Sequence, residues 1–358
     1  MSYTRQARDL LKVILNLAKA ENKLSGFCIS NTAKIDKQGL YFTPVRNTPR
    51  MVIAGVVVYS EKQAIEIAEI VDGKVDYILV DAEKKVSGEM SVSGVAANVE
   101  RSVREILTKS KLWVYKGNDL AVEALDSLLS YLTKDSLRGV GAKKIAIIGA
   151  GNLGCKLALK LVERGAHVFI TRRDRDKVAS IARVLNYIKP RYTNAEVVGT
   201  VDNEAAAKNA DILIGMTQGI PVITEKIIAN LSTQALIIDG GKGTFYPAAI
   251  KMARERGIEI YRLDVSSAFE GAIATLFSLE DAMKNRIGRR LLYGEPIVAG
   301  GLMGREGDVV VDSIFEPKII YGIANGKGDF IRNPSSEQLV RIEKVKKAIS
   351  LELSAKVS

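Results

Sequence analysis

Apolar positions in the first 131 residues switch between two spacings. Near the N-terminus they recur at helical spacing and predict an amphipathic helix with the apolar residues Ala7, Leu10, Leu11, Ile14, Leu15 and Ala18. Residues 51–58, 75–80 and 111–115 are short apolar runs that predict strands, and helical patterns lie at 61–71, 95–109 and 118–131. This alternation predicts an α/β layer with largely parallel strand pairing.

A second, more regular alternation fills residues 144–263. Six apolar runs predict strands at 144–148, 167–171, 195–198, 211–216, 235–239 and 258–263. Helical patterns separate them at 152–164, 176–185, around Ala205, 224–231 and 246–256. Right-handed crossovers between such strands leave a doubly wound sheet as the predicted arrangement.

The remaining residues carry a third pattern. Residues 268–292 have helical spacing and are predicted to return across the first domain, and apolar runs at 308–311 and 318–321 predict a hairpin. Ser335 and Gln338 have the spacing of a capping box before a helix with an apolar stripe of Leu339, Ile342, Val345 and Ile349. With the glycine-containing turn at 137–141 as a boundary, we predict segments 1–137, 138–267 and 268–358.

Composition excludes several classes of protein. Two cysteines, Cys28 and Cys155, with no CxxC pair, argue against a zinc site or a disulfide framework, and the single histidine, His167, opens a predicted strand. The longest apolar run, 51–59, is about half of the roughly 20 residues that span a bilayer. The net charge of +11 is spread over the chain. We therefore expect a cytoplasmic protein without metal, membrane or nucleic acid, and a homodimer is the predicted assembly.

The segment Gly149-Ala-Gly-Asn-Leu-Gly154 connects the first strand of the second alternation to its helix. A GxGxxG turn in this context predicts a Rossmann dinucleotide-binding unit. Gly149 permits the tight turn, Gly151 leaves space for a pyrophosphate, and Gly154 allows close helix–strand packing. The backbone N–H groups of Asn152 and Leu153 then point to the phosphates.

The end of the next strand indicates which dinucleotide is bound. An NAD site has an acidic residue there for the ribose hydroxyls, whereas this strand ends at Thr171 and continues with Arg172 and Arg173. Guanidinium groups suit a 2′-phosphate, so the sequence favours NADP. Asp174 is the alternative, as a displaced acid.

Residues after the later strands are candidates for the nicotinamide side of the cleft. Thr217 and Gln218 follow the fourth strand and Lys242 follows the fifth. Ligands in open α/β sheets lie beyond the carboxyl ends of the strands. Ordinary strand-to-helix turns are the alternative interpretation.

The order of these parts resembles the shikimate dehydrogenase and methylene-tetrahydrofolate (or tetrahydromethanopterin) dehydrogenase superfamily. Residues 116–119 (KGND) are similar to its Asn-Thr-Asp segment, 171–173 (TRR) to its Asn-Arg-Thr clamp for NADP, and 214–217 (IGMT) to its nicotinamide loop. The resemblance implies a small N-terminal α/β substrate domain, a connecting helix, a Rossmann domain, a late helix that returns to the first domain, and a substrate between the domains. It also implies a catalytic or substrate-binding acid at Asp119, beside Lys116 and Asn118 as substrate contacts. The segment after Pro296 has no counterpart in that family and is predicted as a C-terminal extension.

Hydride transfer needs a partner that gives or takes a proton. Asp119 is one candidate, and the alternative is that Asn118 and Asp119 cap the following helix. Lys85 is the second, because a desolvated lysine can act as a base; here the alternative is that Lys84 and Lys85 form a solvated turn. If Asp119 and Lys85 faced each other, they would form a catalytic pair.

The sequence thus predicts an NADP-dependent oxidoreductase that acts on a small anionic or pterin-like substrate in an interdomain cleft. A non-catalytic NADP-binding regulator or scaffold is the alternative from another class. An amino-acid or imine dehydrogenase with the same two-domain plan is the third hypothesis.

Overall fold

The computed structural model describes residues 2–32, 40–86, 97–217 and 219–357, with side chains up to residue 352. The chain divides into two compact units, residues 1–270 and 271–358. The first unit contains two sheets with separate hydrophobic cores, and the second contains one sheet, most of the helix that begins at Ser266 and the helix that begins at Ser336.

The strands of the first sheet are β1 (Leu24–Asn31), β2 (Tyr41–Phe42), β3 (Arg46–Asn47), β4 (Met51–Val58), β5 (Tyr77–Asp81) and β6 (Lys111–Tyr115). Their order is β2-β4-β1-β5-β6, with β3 also paired to β4. Strands β1, β4, β5 and β6 are parallel, as the alternation predicts. The helices in this part are α1 (Tyr3–Ala20), α2 (Glu61–Val71) and α3 (Val99–Ile106).

Strand β1 lies at the centre of this sheet, although the apolar pattern did not predict it. One of its faces carries small residues at alternate positions: Gly26, Cys28 and Ser30. A Cβ at Gly26 would lie 2.5 Å from the Met51 Sδ atom, so the neighbouring side chains fill the space that a larger residue would need. Close packing on this face therefore requires small residues, and these residues interrupt the apolar pattern that would have predicted a strand.

The second sheet contains every strand predicted here, with bounds within two residues of the predicted ones: β7 (Lys144–Ile148), β8 (His167–Thr171), β9 (Val197–Thr200), β10 (Ile212–Gly215), β11 (Leu236–Asp239) and β12 (Ile260–Arg262). The six strands are parallel and lie in the order β12-β11-β10-β7-β8-β9. This is the doubly wound Rossmann order, with a switch point between β7 and β10. The helices are α4 (Gly117–Leu132), α5 (Asn152–Glu163), α6 (Arg175–Ile188), α7 (Asn203–Ala207), α8 (Glu225–Ala229) and α9 (Pro247–Glu255).

One residue at an outer edge of the second sheet has its backbone groups bonded to a side chain. Strand β9 is the last strand on one side, and Val197 turns its backbone away from β8. The Asn186 amide of α6 donates to the Val197 carbonyl at 2.7 Å and accepts from the Val197 N–H at 2.9 Å. Both backbone groups of this residue are therefore satisfied without another strand.

One prediction for the second unit, the extent of its first helix, is wrong. Helix α10 (Ser266–Asp281), which begins in the first unit, and a π-helical turn (Ala282–Arg286) end before residue 288, so the helix predicted to 292 is too long. Tyr293 and Gly294 have φ values of 47° and 86°, and this turn joins two antiparallel strands. The elements here are β13 (Gly288–Leu292), β14 (Glu295–Ala299), β15 (Val309–Val311), β16 (Ile320–Ile323) and α11 (Ser336–Val357).

Two local predictions for the second unit are confirmed. Strands β15 and β16 form the predicted antiparallel hairpin. Ser335 N–H donates to Gln338 Oε1 at 2.9 Å, and Gln338 N–H donates to Ser335 Oγ at 3.3 Å, which is the capping box. Val345 and Ile349 of the predicted stripe are buried, whereas Leu339 is 50% exposed. Of the helices that can be described, none is long and apolar enough to cross a membrane.

Asp72, which directly follows α2, provides a test of stability in the first unit. Asp72 accepts bonds from the Thr108 N–H and hydroxyl and from the N–H groups of Lys109 and Ser110, at 2.8–3.2 Å. Partial burial opposes ionisation, but these hydrogen bonds outweigh it and lower the pKa of Asp72 to about 2. The stabilisation is thus fully present above the ordinary pKa of 3.8 and is lost as the pH falls toward 2.

We expect Asp72→Ala to lower the free energy of unfolding at pH 7 by about 1–3 kcal/mol, because several donors lose their acceptor. Urea unfolding at pH 7 and at decreasing pH measures the difference, which should shrink as the pH falls below 3.8. Glu69→Ala, an exposed position on α2, removes the same charge and is the control. Equal losses for the two variants would contradict the role of Asp72.

Candidate functional site

The glycine turn lies at the switch point of the second sheet. Gly149 has φ of 116°, and a Cβ there would lie 2.7 Å from the Met216 carbonyl at the end of β10. A Cβ on Gly154 would lie 2.3 Å from the Gly149 carbonyl, so these two glycines let α5 approach the sheet. The Ala150 N–H donates to the Thr171 carbonyl at 2.7 Å and joins the turn to β8.

Gly151 differs from the other two glycines. It precedes α5, and a Cβ built on it meets nothing within 4 Å. The first helical bond, from Cys155 N–H to the Gly151 carbonyl, leaves the earlier N–H groups of Asn152, Leu153 and Gly154 at the free end of the helix. The turn and α5 thus form a cradle with open space in front of helix donors, which suits a pyrophosphate.

A cavity of about 270 Å³ adjoins this turn. Its walls combine the glycine turn with apolar side chains and two arginines: Ile148, Gly149, Ala150, Gly151, Thr171, Arg172, Arg173, Val201, Asn203, Met216, Thr217, Ile220 and Val222. This mixture of apolar walls, backbone donors and cations can hold a nucleotide.

The end of β8 brings both arginines to the cavity. Thr171 is buried, whereas Arg172 and Arg173 are exposed, and Arg172 donates to the Ala150 carbonyl at 2.8 Å. Asp174 caps α6 by accepting from the Lys177 N–H at 3.0 Å, and this bond is the main cause that lowers the pKa of its carboxyl. Asp174 therefore serves the helix and not the cavity, so the displaced-acid alternative loses its support.

The predicted residues of the later strands occupy different places. The Thr217 hydroxyl donates to the Ile220 carbonyl at 2.5 Å in the cavity wall, and Gln218 lies outside the described residues. Lys242 is exposed with φ of 58°, in a loop held by the buried Asp239 carboxylate, which accepts from Gly243 N–H at 2.7 Å. His167 opens β8, at the opposite end of the sheet from these residues.

Lys85 lies beyond the carboxyl end of the first sheet, between two carboxylates. Its Nζ atom is 2.8 Å from Asp81 Oδ2 and 2.8 Å from Glu83 Oε2, and its backbone N–H donates to Asn31 Oδ1. Asp81, at the end of β5, is buried and also accepts from the N–H groups of Glu83 and Gly117. Lys85 is thus built into a polar cluster, and the solvated-turn alternative does not describe it.

The ion-pair partners of Asp119 differ from the predicted partner, Lys85. Its carboxylate is 2.5 Å from Lys156 Nζ of α5 and 3.8 Å from Lys116 Nζ. The hydrogen bond from Lys156 lowers the pKa of Asp119, so this carboxyl stays ionised. The direct Asp119–Lys85 pair is therefore wrong: Lys85 pairs with Asp81 and Glu83.

The helix-cap alternative for Asn118 and Asp119 is also wrong. Helix α4 begins at Gly117, and Lys116 occupies the cap position without a side-chain cap bond. Asn118 instead donates through its backbone N–H to Glu83 Oε2 at 2.9 Å and through Nδ2 to Asn152 Oδ1 at 3.2 Å. The first turn of α4 thus connects the part of the unit built on the first sheet to the part built on the second.

A third group of polar contacts, which includes Arg46 of β3, was not predicted. Arg46 Nε donates to Ser266 Oγ at 3.2 Å, and Ser266 bonds to Asp264, whose pKa this bond lowers together with the charges of Arg46 and Lys242. Ser30 Oγ and Tyr115 Oη are 2.5 Å apart.

Burial keeps two further groups of this region neutral. Desolvation raises the pKa of Cys28 to about 12 and that of Tyr115 well above its usual value. The sequence signal that could have found the whole region is the set of polar residues that end neighbouring parallel strands: Asn31, Asp81 and Tyr115.

Comparisons with known proteins agree with the geometry of the second sheet. A family model described as NADP oxidoreductase, coenzyme F420-dependent, matches residues 144–241. Glycerol-3-phosphate dehydrogenase (NAD(P)+) of Bacillus velezensis is 25% identical over 131 residues, which are 34% of this chain and 38% of that protein. The match thus spans well under half of the relative's length.

Solved structures that match part of this chain include those of two bacterial proteins. A dipicolinate synthase component from Bacillus halodurans is 15% identical, with a TM-score of 0.36, over 72% of this chain and 97% of that one. L-tryptophan dehydrogenase from Nostoc punctiforme is 16% identical, with a TM-score of 0.41, over 73% and 78%. From the family match and the sequence relative, the chain contains a Rossmann domain of the type found in NAD(P)-dependent oxidoreductases.

Proposed function

We propose that this chain is an NADP-dependent oxidoreductase that acts on a small anionic substrate. The observation that carries the choice of NADP is the end of β8, where Arg172 and Arg173 line the cavity and Asp174 is used as a helix cap. Arginine forms bidentate, charge-assisted bonds with phosphate, and an NAD site would need a carboxylate free to bind ribose hydroxyls.

A second observation supports the fit between these residues and NADP. The space in front of Gly151 and the first N–H groups of α5 form a cradle that a Cβ would fill. When bound, NADP would supply or accept a hydride at its nicotinamide ring. The chain's own tasks are to hold the pyrophosphate at α5, to bind the 2′-phosphate with Arg172 and Arg173, and to orient a substrate beside them.

Lys85 is our candidate for the group that moves the proton. Its ammonium lies against Asp81 and Glu83, with its side chain 21% exposed, so it can give a proton to a substrate oxygen or nitrogen and regain it from solvent. The hydrogen bond from Lys156 lowers the pKa of Asp119, so this carboxylate is a weaker base than an unpaired one. We propose that Asp119 supports the site through this ion pair.

We base the choice of an anionic substrate on two positively charged side chains. Arg46 belongs to the first sheet and Lys242 follows a strand of the second, yet both lower the pKa of the same carboxyl, Asp264. The Arg46 contact with Ser266 uses one of the five N–H donors of a guanidinium. We propose that these cations bind a substrate carboxylate or phosphate, and that Lys116 and Asn118 also contact the substrate. The resemblance to the shikimate and methylene-tetrahydrofolate dehydrogenases supports the same two-part site.

We expect Lys85→Met to lower turnover of NADPH by about 100-fold or more, the contribution typical of general acid catalysis, with NADPH affinity unchanged. The assay follows NADPH oxidation with small 2-oxo acids and a pterin as substrates, and calorimetry measures affinity. Lys84→Met, at an exposed neighbouring position, is the matched control.

Full turnover in the Lys85→Met variant would exclude Lys85 as the proton donor. Firm NADPH binding without oxidation by any tested substrate would favour the alternative of a non-catalytic NADP-binding protein.

A further inference from the structure

A continuous series of polar contacts joins Lys85 to the helix that begins at the glycine turn. Lys85 Nζ is 2.8 Å from Glu83 Oε2, and the other oxygen, Glu83 Oε1, is 3.7 Å from Lys156 Nζ on α5. Glu83 therefore contacts one lysine with each carboxylate oxygen. Its side chain is only 14% exposed, so solvent screens these charges less than at an open surface.

A second connection runs beside the first. Asn118 N–H donates to Glu83 Oε2, and Asn118 Nδ2 donates to Asn152 Oδ1. Asn152 is the first residue of α5, where the proposed pyrophosphate site lies. Both connections reach the same carboxylate, Glu83.

The two residues of α5 that take part are four positions apart. Asn152 and Lys156 therefore lie on one face of the helix, next to each other. A small shift of the first turn of α5 moves both of them relative to Glu83. Lys160, one turn further along, forms a 2.8 Å ion pair with Glu123 of α4, but that pair is separate from Lys85.

We propose that Glu83 is a positioning residue that transmits the binding of a dinucleotide at α5 to the ammonium of Lys85. This inference rests on the proposed function, because it requires NADP at the start of α5. Binding there fixes the first turn of the helix, which fixes Lys156 and Asn118 against Glu83, and Glu83 then holds Lys85 in place. Lys85 already contacts Glu83 without cofactor, and binding of the cofactor holds this contact more firmly.

The experiment measures the chemical reactivity of Lys85 with NADP+ as the probe. Trace labelling with acetic anhydride, followed by peptide mass spectrometry, reports how exposed and how nucleophilic each lysine is. We expect saturating NADP+ to lower labelling of Lys85 by about threefold or more in the unaltered protein, because a firmly held Glu83 keeps the Lys85 ammonium against the two carboxylates and away from the reagent. Calorimetry on the same samples reports whether NADP+ binds.

Lys156→Met is the decisive variant, because Lys156 contacts Glu83 and not Lys85. We expect it to keep NADP+ binding and to weaken the response of Lys85, because the connection through Asn152 and Asn118 remains. Glu83→Gln should lose the response and raise the labelling of Lys85 without NADP+. Lys160→Met removes an ion pair between the same two helices and should keep the full response, which makes it the matched control.

Each outcome decides between the proposals. A full response of Lys85 in both Lys156→Met and Glu83→Gln would mean that NADP+ shields Lys85 directly, and would overturn the role of Glu83. Binding of NADP+ with no change at Lys85 in the unaltered protein would also overturn it, and would leave the proposed function standing. Absence of calorimetric binding would remove the proposed function, and this inference with it. Circular dichroism confirms that each variant is folded.

Discussion

Replacing Gly151 with valine is expected to abolish NADP binding while the protein keeps its fold. The backbone at Gly151 has φ of −88° and ψ of −167°, which an L-residue adopts without strain, and its Cβ would meet no protein atom within 4 Å. The valine side chain would instead fill the space that the pyrophosphate needs. We expect the affinity to fall by at least about 100-fold, or about 3 kcal/mol, in calorimetry.

The control for this prediction is another glycine of the same turn. A Cβ on Gly154 would lie 2.3 Å from the Gly149 carbonyl, so Gly154→Ala should lower the midpoint of thermal unfolding, whereas Gly151→Val should leave it close to that of the unaltered protein. If Gly151→Val bound NADP with undiminished affinity, the dinucleotide would have to lie elsewhere on the chain.

Removing Arg172 and Arg173 together is expected to weaken NADPH binding by about 100-fold, because a phosphate loses its charge-assisted partners. NADH lacks the 2′-phosphate, so its affinity should change by less than about threefold. Calorimetric titration of Arg172→Ala/Arg173→Ala with each cofactor measures this difference. Gly151→Val, in contrast, should affect both cofactors.

Two further variants separate charge from structure in that experiment. Arg172 also bonds to the Ala150 carbonyl, so Arg173→Ala alone removes one cation while that bond remains. Arg175→Ala removes an exposed positive charge that does not line the cavity, and should leave NADPH affinity unchanged. Equal losses for NADPH and NADH in the double variant would remove the argument for NADP.

The second sheet could be predicted from the sequence because its signals are local. The central strands are apolar runs buried on both faces, such as 144–148, and the GxGxxG turn fixes where the first helix begins. The strand β1 could not be predicted, since Gly26, Cys28 and Ser30 are small for reasons of packing against other strands. The helix predicted to residue 292 failed because a two-residue turn at Tyr293 and Gly294 pairs 288–292 with the next strand.

The partners within the candidate site depend on contacts between distant residues. Lys85 and Asp119 were found from their positions after a strand and before a helix, and both lie in polar clusters. Their true partners, Asp81, Glu83 and Lys156, are set by how β5, α4 and α5 pack together, which no local pattern reveals. Arg46 was missed for the same reason, because its partner is 220 positions away.

The amide of Asn186 has a consequence for assembly. By taking both outward backbone groups of Val197, it does for this edge what a neighbouring strand would do, and a second molecule finds no free donor or acceptor at that residue. Continuation of the sheet from one molecule to the next would first have to displace this side chain. The homodimer expected from the sequence would therefore have to form without continuation of the sheet at this residue.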